Sequence, residues 1–377
     1  MSPANPSADR SNRQPSLSQH GRAGVAALGA IQKCAAAGLR DAAAEQFYAD
    51  PAGSALRDAR PDGADPVAMA RWIAAGRDVA ARNSLYRLER FFQAYVALGI
   101  YDFGIPAIEE RRALFASTGV MAVDEAGVEA DPSLAMPDYF EADWHLRPGG
   151  WDGYDLYGPH GQHVIGPIFK LGGFAAAPVG SNIARHRLDV IGQLPRTDYA
   201  RIYEPGCGNG STLMAIHQTF PDAELVASDL SLEQLGAAAA RLRAASVSAQ
   251  LKQRDAATDT GEPASSVDAV VTFALHHELP HDANVALLAE MFRILKPGGD
   301  IVLSDPPPFR AVDPFLAVLL DWDTDNRGEP FFTESGMSDW AQVMRDVGFV
   351  DARDYAVGPA SYPWVTIARK PDVVAQR

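Results

Sequence analysis

The sequence predicts an α/β protein in which a mainly helical first half precedes a sheet of seven strands. Two observations support this fold class. From Tyr199 onward, strand-like runs alternate with helical runs, which is typical of a parallel sheet with crossover helices. Before that point apolar residues recur at helical spacing, most clearly from Val67 to Gly99. Since the chain has 377 residues, we expect two domains.

The chain divides into three predicted segments. Residues 1–20 are rich in Ser, Pro, Asn and Arg and predict a disordered tail. Residues 21–195 predict a mainly helical domain, in which 113–123 and then Gly127 and Val128 suggest a helix followed by a short β wing. Residues 196–377 predict the sheet domain, and they carry the motifs discussed below.

The sheet domain contains seven predicted strands and four predicted helices. The strands are Arg201–Glu204, Glu224–Ser228, Gln250–Arg254, Asp268–Thr272, Ile301–Ser304, Phe349–Tyr355 and Trp364–Arg369. The helices are Thr212–Phe220, Leu232–Ala245, Ala283–Leu295 and Ser338–Val347. Lys296-Pro297-Gly298-Gly299 is expected to cap the third helix. Ligands of such sheets bind beyond the C-terminal ends of the strands, so each strand end is a candidate site position.

Composition narrows the class of partner. A formal net charge of −15 disfavours binding to a phosphate backbone, so we expect a small-molecule substrate and no nucleic acid. No apolar run approaches the ~20 residues of a membrane helix, so no membrane partner is expected. Lys33 and Glu45 make the Ala-rich start an amphipathic helix, which favours a cytoplasmic location. Cys34 and Cys207 are too few for a disulfide framework, and no metal site is predicted.

The most informative motif is the turn Glu204-Pro205-Gly206-Cys207-Gly208-Asn209-Gly210-Ser211, between the first predicted strand and its helix. Glycines at alternate positions let the backbone pass close to a ligand, and the helix that follows offers unpaired N–H groups to an anionic group. A dinucleotide-binding turn has the pattern G-x-G-x-x-G, but here Ser211 takes the third place and Gly210 comes one residue early. A ligand-free turn remains an alternative.

This E-x-G-x-G-x-G turn resembles motif I of the class I S-adenosylmethionine-dependent methyltransferases. Asp229 ends the second strand, 23 positions after Gly206, where a carboxylate can accept both hydroxyls of a ribose. Asp255 ends the third strand. The resemblance implies a Rossmann-like seven-stranded sheet and S-adenosylmethionine as cofactor, with ribose on Asp229, adenine on Asp255 and the methionine ammonium at a carbonyl near Phe273. The implied cofactor positions are Glu204, Gly206, Gly208, Gly210, Asp229, Leu230, Asp255, Ala256 and Phe273.

The segment from Ala274 to Asp282 resembles the H-D-W-S-D stretch of the small-molecule O-methyltransferases of plants and bacterial antibiotic pathways. In those enzymes the histidine deprotonates the substrate hydroxyl, and the alignment places that role on His277, although His276 remains an alternative. Asp305, 28 residues later, then orients the imidazole. This sequence departs from the family's pattern, since the Trp is Leu279 here and the acid after strand five is an Asp.

The same family has a further carboxylate before its last helix, for which Glu329 and Glu334 are both candidates, and we include Glu329 among the catalytic positions. Asp305-Pro306-Pro307-Pro308-Phe309 resembles the D-P-P-Y/F motif of nitrogen-directed methyltransferases. It follows strand five rather than strand four, so we do not interpret it as a nitrogen clamp.

The resemblance implies that the helical domain, of winged-helix type, dimerises and closes over the substrate. We therefore predict a homodimer, with substrate contacts at Trp144, Tyr154, Tyr157, His276 and Trp322, the last for a cationic group. The leading hypothesis is methylation of a hydroxyl of a small metabolite. Two alternatives stay open. One is methylation of sulfur, nitrogen or carbon in a small acid without a base, and the other is a scaffold that binds S-adenosylmethionine without catalysis.

Overall fold

The computed structural model describes residues 16–61, 63, 65–119, 127–173, 176–177, 179–358 and 361–372. Most of the predicted tail, residues 1–15, and positions 120–126 of the predicted wing region lie outside the described residues.

The second half of the chain forms one seven-stranded sheet in the order β3-β2-β1-β4-β5-β7-β6. Its strands are β1 (Arg201–Pro205), β2 (Glu224–Asp229), β3 (Gln250–Gln253), β4 (Val267–Phe273), β5 (Leu295–Asp305), β6 (Val350–Ala356) and β7 (Trp364–Arg369). Strands β1 to β5 pair in parallel, and β7 pairs antiparallel with β5 and β6. The predicted α/β fold is confirmed, and each predicted strand lies within one residue of its expected bounds except β5, which begins six residues earlier than predicted.

Helices cover both faces of this sheet. They are Ile183–Ile191, Ser211–Thr219, Leu232–Ala244, His281–Ile294 and Trp340–Val347. Neighbouring residues of β1 point to opposite faces, as the pleat requires: Ile202 joins the core with Leu213, whereas Tyr203 joins the core with Met291. Because β1 to β4 are parallel neighbours, their carboxyl ends lie side by side at one edge of the sheet.

The predicted cap Lys296-Pro297-Gly298-Gly299 is wrong as a helix terminus. The helix ends at Ile294, and the chain enters β5 directly at Leu295, whose backbone is extended and whose side chain is fully buried. Leu295 pairs with Val267 and the next pair is Ala269 with Asp300, so the four residues form a bulge within the strand. Burial of Leu295 in the core, rather than the turn chemistry after it, sets the end of the helix.

The first half of the chain is helical. Its helices are Gln19–Cys34, Arg40–Ala49, Pro51–Asp58, Pro66–Arg82, Ser84–Asp102, Gly104–Glu109, Arg112–Gly119, Tyr157–His160 and Gly166–Gly172, with π-helical turns at Ala35–Leu39 and Gly161–Ile165. Val96, Ile100 and Ile108 centre a core of their own. A further core joins Trp72 and Ile73 to Val318 on the helix Pro314–Asn326 after β5, so the two halves pack together.

The described part of the predicted wing pairs with the sheet. Glu129 forms a parallel bridge with Lys252 of β3. Its N–H donates to the carbonyl of Leu251, and its carbonyl accepts from the N–H of Gln253, at 2.9 and 2.8 Å. The open edge of β3 offers these backbone groups, which explains why the segment extends the sheet.

The stretch Ser84–Glu109 is long and apolar enough to cross a membrane by length and composition alone, with a mean hydropathy of 1.3. Core helices of soluble proteins pass the same test. Here the helix carries Glu89 and Arg90, both buried, with Arg90 Nε 2.5 Å from a Glu89 carboxylate oxygen and Nη1 donating to the carbonyl of Leu319. The hydrogen bond from Arg90 to Leu319 joins this stretch to the helix Pro314–Asn326, so the stretch is packed against another part of the protein.

Candidate active site

The glycine turn lies between β1 and the helix Ser211–Thr219. Gly206, Gly208 and Gly210 have φ values of 60°, 49° and 74°, which favour glycine. A Cβ on Gly206 would lie 2.5 Å from Leu275 Cδ1. No side chain caps the helix that follows, so its first N–H groups remain available to a ligand.

A cavity of about 260 Å³ opens beside this turn, at the carboxyl ends of β1, β2, β3 and β4. Its lining includes eight of the nine predicted cofactor positions, namely Glu204, Gly206, Gly208, Asp229, Leu230, Asp255, Ala256 and Phe273. Gly210 instead packs against the neighbouring helix, where a Cβ would lie 3.1 Å from that of Ala238. The fold therefore brings the predicted cofactor residues into one concave site.

Two acids define one end of the cavity. Asp229 accepts hydrogen bonds from the N–H groups of Gly208 and Ser231, at 2.8 and 2.9 Å, and burial raises its pKa to about 6. Asp255 accepts from the N–H of Ala257 at 3.0 Å. Because backbone donors hold these carboxylates in place, they can serve as fixed acceptors for the hydroxyl and amino groups of a nucleoside.

A carboxylate and a guanidinium define the other end. Glu204 is buried, its Oε2 has no hydrogen-bond partner among the described residues, and burial raises its pKa well above the usual range. Arg187 donates from Nε to Thr212 Oγ1 at 3.2 Å, and its guanidinium lies 4.6 Å from the Phe273 ring centre. Arg187 was missed in the sequence, where no motif surrounds it. An ammonium and a carboxylate, the two charges of a methionine group, fit this pair.

His277 and Asp305 lie beside the cavity. The imidazole donates from Nδ1 to Asp305 Oδ1 at 2.7 Å, since a carboxylate can only accept, and Asp305 Oδ2 accepts from Ser335 Oγ at 3.2 Å. The predicted contact is thus present despite the shorter acid. Nε2 of His277 lies 3.9 Å from Glu278 Oε1 and 3.9 Å from Glu329 Oε2.

The structure distinguishes the two candidates for the further carboxylate. Glu329 faces His277, whereas Glu334 accepts from the N–H of His281 at 3.3 Å. Among these residues Glu278 lines the cavity, and His277 is not part of the lining.

His145, from the first half of the chain, completes the group. Its Nδ1 lies 2.7 Å from Glu329 Oε1 and its Nε2 lies 3.2 Å from Glu278 Oε1. Its own N–H donates to the carbonyl of Gly328 at 2.8 Å. No local pattern in the sequence indicates that His145 would contact these two glutamates.

Charge sets the protonation of this His-carboxylate cluster, defined as His145, His277, Glu278, Asp305 and Glu329. Burial alone would lower the pKa of His277, but Asp305, Glu329 and Glu278 outweigh it and raise that pKa to about 9. Burial likewise opposes the effect of Glu329 and Glu278 on His145, whose pKa also rises to about 9. Both imidazoles are therefore protonated at neutral pH in the absence of ligand.

The predicted substrate residues fall in different places. Trp144 lines the cavity and donates from Nε1 to the carbonyl of Tyr139 at 3.1 Å. His276 is buried below it, with Nδ1 2.7 Å from Asn284 Oδ1 and Nε2 3.0 Å from Thr272 Oγ1. Both ring nitrogens of His276 are thus engaged in hydrogen bonds. His277, whose Nε2 makes no hydrogen bond to a described residue, is therefore better placed than His276 to accept a proton.

The other three predicted contacts lie outside the cavity lining. Tyr154 donates to Glu109 Oε1 at 2.6 Å, and Tyr157 donates to the carbonyl of Pro148 at 2.8 Å. Trp322 lies on the helix Pro314–Asn326, with the Arg90 guanidinium 4.7 Å from its ring centre. Their role in substrate binding stays a prediction. Other aromatic and basic residues line the cavity instead, namely Tyr139, Phe140, Arg147, Trp151 and Arg187, and of these no pattern in the sequence pointed to the two arginines.

Residues 202–299 match the model of a family described as a methyltransferase domain. The ribosomal RNA large subunit methyltransferase G of Streptomyces coelicolor is 30% identical over 181 residues, which are 46% of this chain and 44% of that protein. The trans-aconitate 2-methyltransferase of Azoarcus sp. is 30% identical over 118 residues, which are 31% of this chain and 44% of that protein. The chain spans less than half the length of these curated relatives.

Among solved structures, an O-methyltransferase family protein from Burkholderia thailandensis has a TM-score of 0.42 and 16% identity, covering 50% of this chain and 56% of that one. The glycine turn, the acids at the strand ends and the family match agree in position along the chain. Residues 202–299 are therefore similar to a methyltransferase domain, with a glycine turn that resembles motif I of the class I enzymes, and S-adenosylmethionine is the expected cofactor.

Proposed function

We propose that this protein transfers a methyl group from S-adenosylmethionine to a hydroxyl of a small molecule. One observation carries the proposal, the hydrogen bond of 2.7 Å between His277 Nδ1 and Asp305 Oδ1 beside the cofactor cavity. A hydroxyl must lose its proton during methylation, whereas a thioether or thiolate is already nucleophilic. A buried imidazole oriented by a carboxylate is the arrangement that a hydroxyl acceptor requires.

The cavity residues divide the work. Asp229 and Asp255 would hold the nucleoside, and Glu204 and Arg187 the charged methionine groups. When bound, S-adenosylmethionine supplies a methyl group on a positively charged sulfur, which leaves as a neutral thioether once the acceptor oxygen bonds to the methyl carbon. His277 accepts the hydroxyl proton at Nε2, which makes no hydrogen bond to a described residue. Asp305 keeps the ring oriented and stabilises the imidazolium.

The acceptor class is the part of the proposal that charge supports. A formal net charge of −15 disfavours nucleic acid, although one relative is named for ribosomal RNA, and the cavity of about 260 Å³ suits a small molecule beside the cofactor. Methylation of a thioether or thiolate leaves the His277–Asp305 pair without a role, because such a sulfur is already nucleophilic. A scaffold without catalysis leaves the whole His-carboxylate cluster without one. We also propose a cytoplasmic location.

We further propose a homodimer through the first half of the chain. Leu88, Phe91, Tyr95 and Leu98 recur at helical spacing on one face of the helix Ser84–Asp102. Each has about half of its surface exposed. A contiguous exposed apolar face of this kind is typical of protein-protein contacts.

The test combines product identification with one variant. Purified protein would be incubated with S-adenosylmethionine labelled in the methyl group and a metabolite extract, and labelled products identified by mass spectrometry. His277→Ala should lower turnover by about 10²- to 10⁴-fold while the affinity for S-adenosylmethionine is retained. His163→Gln, in a histidine packed on Phe115 away from the cavity, is the control. Unchanged turnover in His277→Ala, or a product methylated elsewhere than on oxygen, would refute the proposal.

A further inference from the structure

The cavity contains a cation that the proposed cofactor contacts do not use. Arg147 lines it, yet Nε and Nη1 of its guanidinium are buried without a hydrogen-bond partner in the part of the chain that is described. The guanidinium lies 4.3 Å from the ring centre of Trp151 and 5.0 Å from that of Tyr157.

The other cavity arginines differ from Arg147 in this respect. Arg254 forms ion pairs with Glu129 and Asp131. Arg187 bonds to Thr212 and is close enough to Glu204 to affect the pKa of that acid. Arg147 makes no ion pair with any described residue. Aromatic faces attract a guanidinium, but they do not replace the hydrogen-bond acceptors that its buried N–H groups lack.

The position of Arg147 places this cation near the His-carboxylate cluster. His145, two residues earlier, contacts the edge of the Trp151 ring at 5.2 Å between ring centres, and the same indole carries the guanidinium. Trp144 and Glu278 line the same cavity. Glu278 Oε1 lies 3.9 Å from His277 Nε2, so an anionic group on Arg147 and a hydroxyl that reaches past Glu278 to His277 can belong to one ligand.

We infer that the methyl acceptor is a hydroxy acid, whose carboxylate binds Arg147 while its hydroxyl faces His277. This inference rests on the proposed function for the hydroxyl and adds the class of substrate. A guanidinium is planar, always charged and suited to carboxylate oxygens, so it selects an acid over the neutral amide of the same shape. Trp151 and Trp144, whose ring centres lie 6.1 Å apart, supply an apolar surface for the carbon skeleton.

Binding can be measured without knowing the natural substrate. The full chain, saturated with S-adenosylhomocysteine, would be titrated by calorimetry with salicylate, 4-hydroxybenzoate and malate, and with the carboxamide of each. We expect at least one acid to bind tenfold or more tightly than its amide. Arg147→Gln should abolish that preference, Arg147→Lys should retain part of it, and the affinity for S-adenosylhomocysteine should stay unchanged in both.

Arg57→Gln is the matched control, because Arg57 also stacks on an aromatic ring, 3.5 Å from the centre of Tyr48, outside the cavity. The inference is overturned if no acid binds, if acids bind no better than amides, or if the preference survives Arg147→Gln. Methylation of a neutral amide at the same rate as its acid contradicts this inference alone. A preferred acid that binds but is never methylated on oxygen contradicts the proposed function alone.

Discussion

His145 Nδ1 lies 2.7 Å from Glu329 Oε1, so a side chain from the first half of the protein holds a carboxylate that faces His277. The helical half is therefore a structural part of the candidate active site. It does more than cover the site, because it supplies a positive charge to a cluster with three carboxylates.

Replacing His145 should affect catalysis through His277. In His145→Gln the charge that offsets Glu278 and Glu329 is lost, so both carboxylates act more strongly on His277 and raise its pKa further. We expect kcat/KM at pH 7.5 to fall by about tenfold or more, with the rising limb of the pH profile moved to higher pH. His163→Gln should leave both unchanged. A loss of activity without a shift in the pH profile would mean that His145 is only structural.

Gly328 controls the placement of His145. A Cβ at this position would lie 2.0 Å from the carbonyl oxygen of Asp143 and 2.8 Å from the nitrogen of His145, with φ at 65°. We expect Gly328→Ala to displace the segment 143–146 and to lower kcat by about tenfold or more, while cofactor affinity changes less. Gly180→Ala is the matched control, because φ there is 87° and nothing lies within 4 Å. Equal losses in both variants, measured by steady-state kinetics, would point to backbone strain alone.

The pH dependence follows from the direction of the His277 shift. A base acts only when neutral, and the pKa of His277 is raised to about 9, so kcat/KM should increase with pH and level off only above about 9. Of the three carboxylates that raise the pKa of His277 against the effect of burial, Asp305 contributes most. Asp305→Asn should therefore move the rising limb to lower pH, and it should also lower the plateau. Initial rates between pH 6 and pH 10 test this. A profile that is flat across that range would exclude His277 as the proton acceptor.

Arg187 is expected to bind the methionine carboxylate of the cofactor. Arg187→Gln should weaken S-adenosylmethionine binding by about 10- to 100-fold, since a hydrogen bond between charged groups contributes about 1.5 to 3 kcal/mol. Arg185→Gln, on the same helix but exposed and paired with Asp189, should bind normally. Calorimetric titration of each variant with S-adenosylmethionine measures the two affinities. If Arg187→Gln and Arg185→Gln bind S-adenosylmethionine equally well, Arg187 does not bind the methionine carboxylate.

The apolar face of the helix Ser84–Asp102 predicts the oligomeric state. Phe91 has 61% of its surface exposed, so Phe91→Glu should leave the fold intact while it disrupts a dimer. Leu114→Glu, at another exposed apolar position, serves as control. Sedimentation or light scattering should show a dimer that Phe91→Glu converts to monomer. A monomeric wild-type protein would refute the proposal.

The cofactor half of the site follows from local patterns in the chain. The glycine turn needs backbone conformations that few other residues adopt, and acids after consecutive parallel strands must meet at one edge of the sheet. Glu204, Asp229 and Asp255 could therefore be placed together from spacing alone. The pairing of His277 with Asp305 follows from the resemblance to the small-molecule O-methyltransferases, and the fold places the two residues at the ends of the neighbouring strands β4 and β5.

Long-range packing determined the rest. His145 reaches Glu278 across 133 positions, and the contact depends on how the helical half docks onto the helix Pro314–Asn326. Arg147 lines the cavity for the same reason, whereas Tyr154 and Tyr157 have partners within their own half. Arg187 lies on the helix Ile183–Ile191, which packs on the sheet. Periodicity and turn chemistry describe contacts between residues close in sequence. They carry no information on which of many aromatic and charged side chains a second domain will place beside the cofactor.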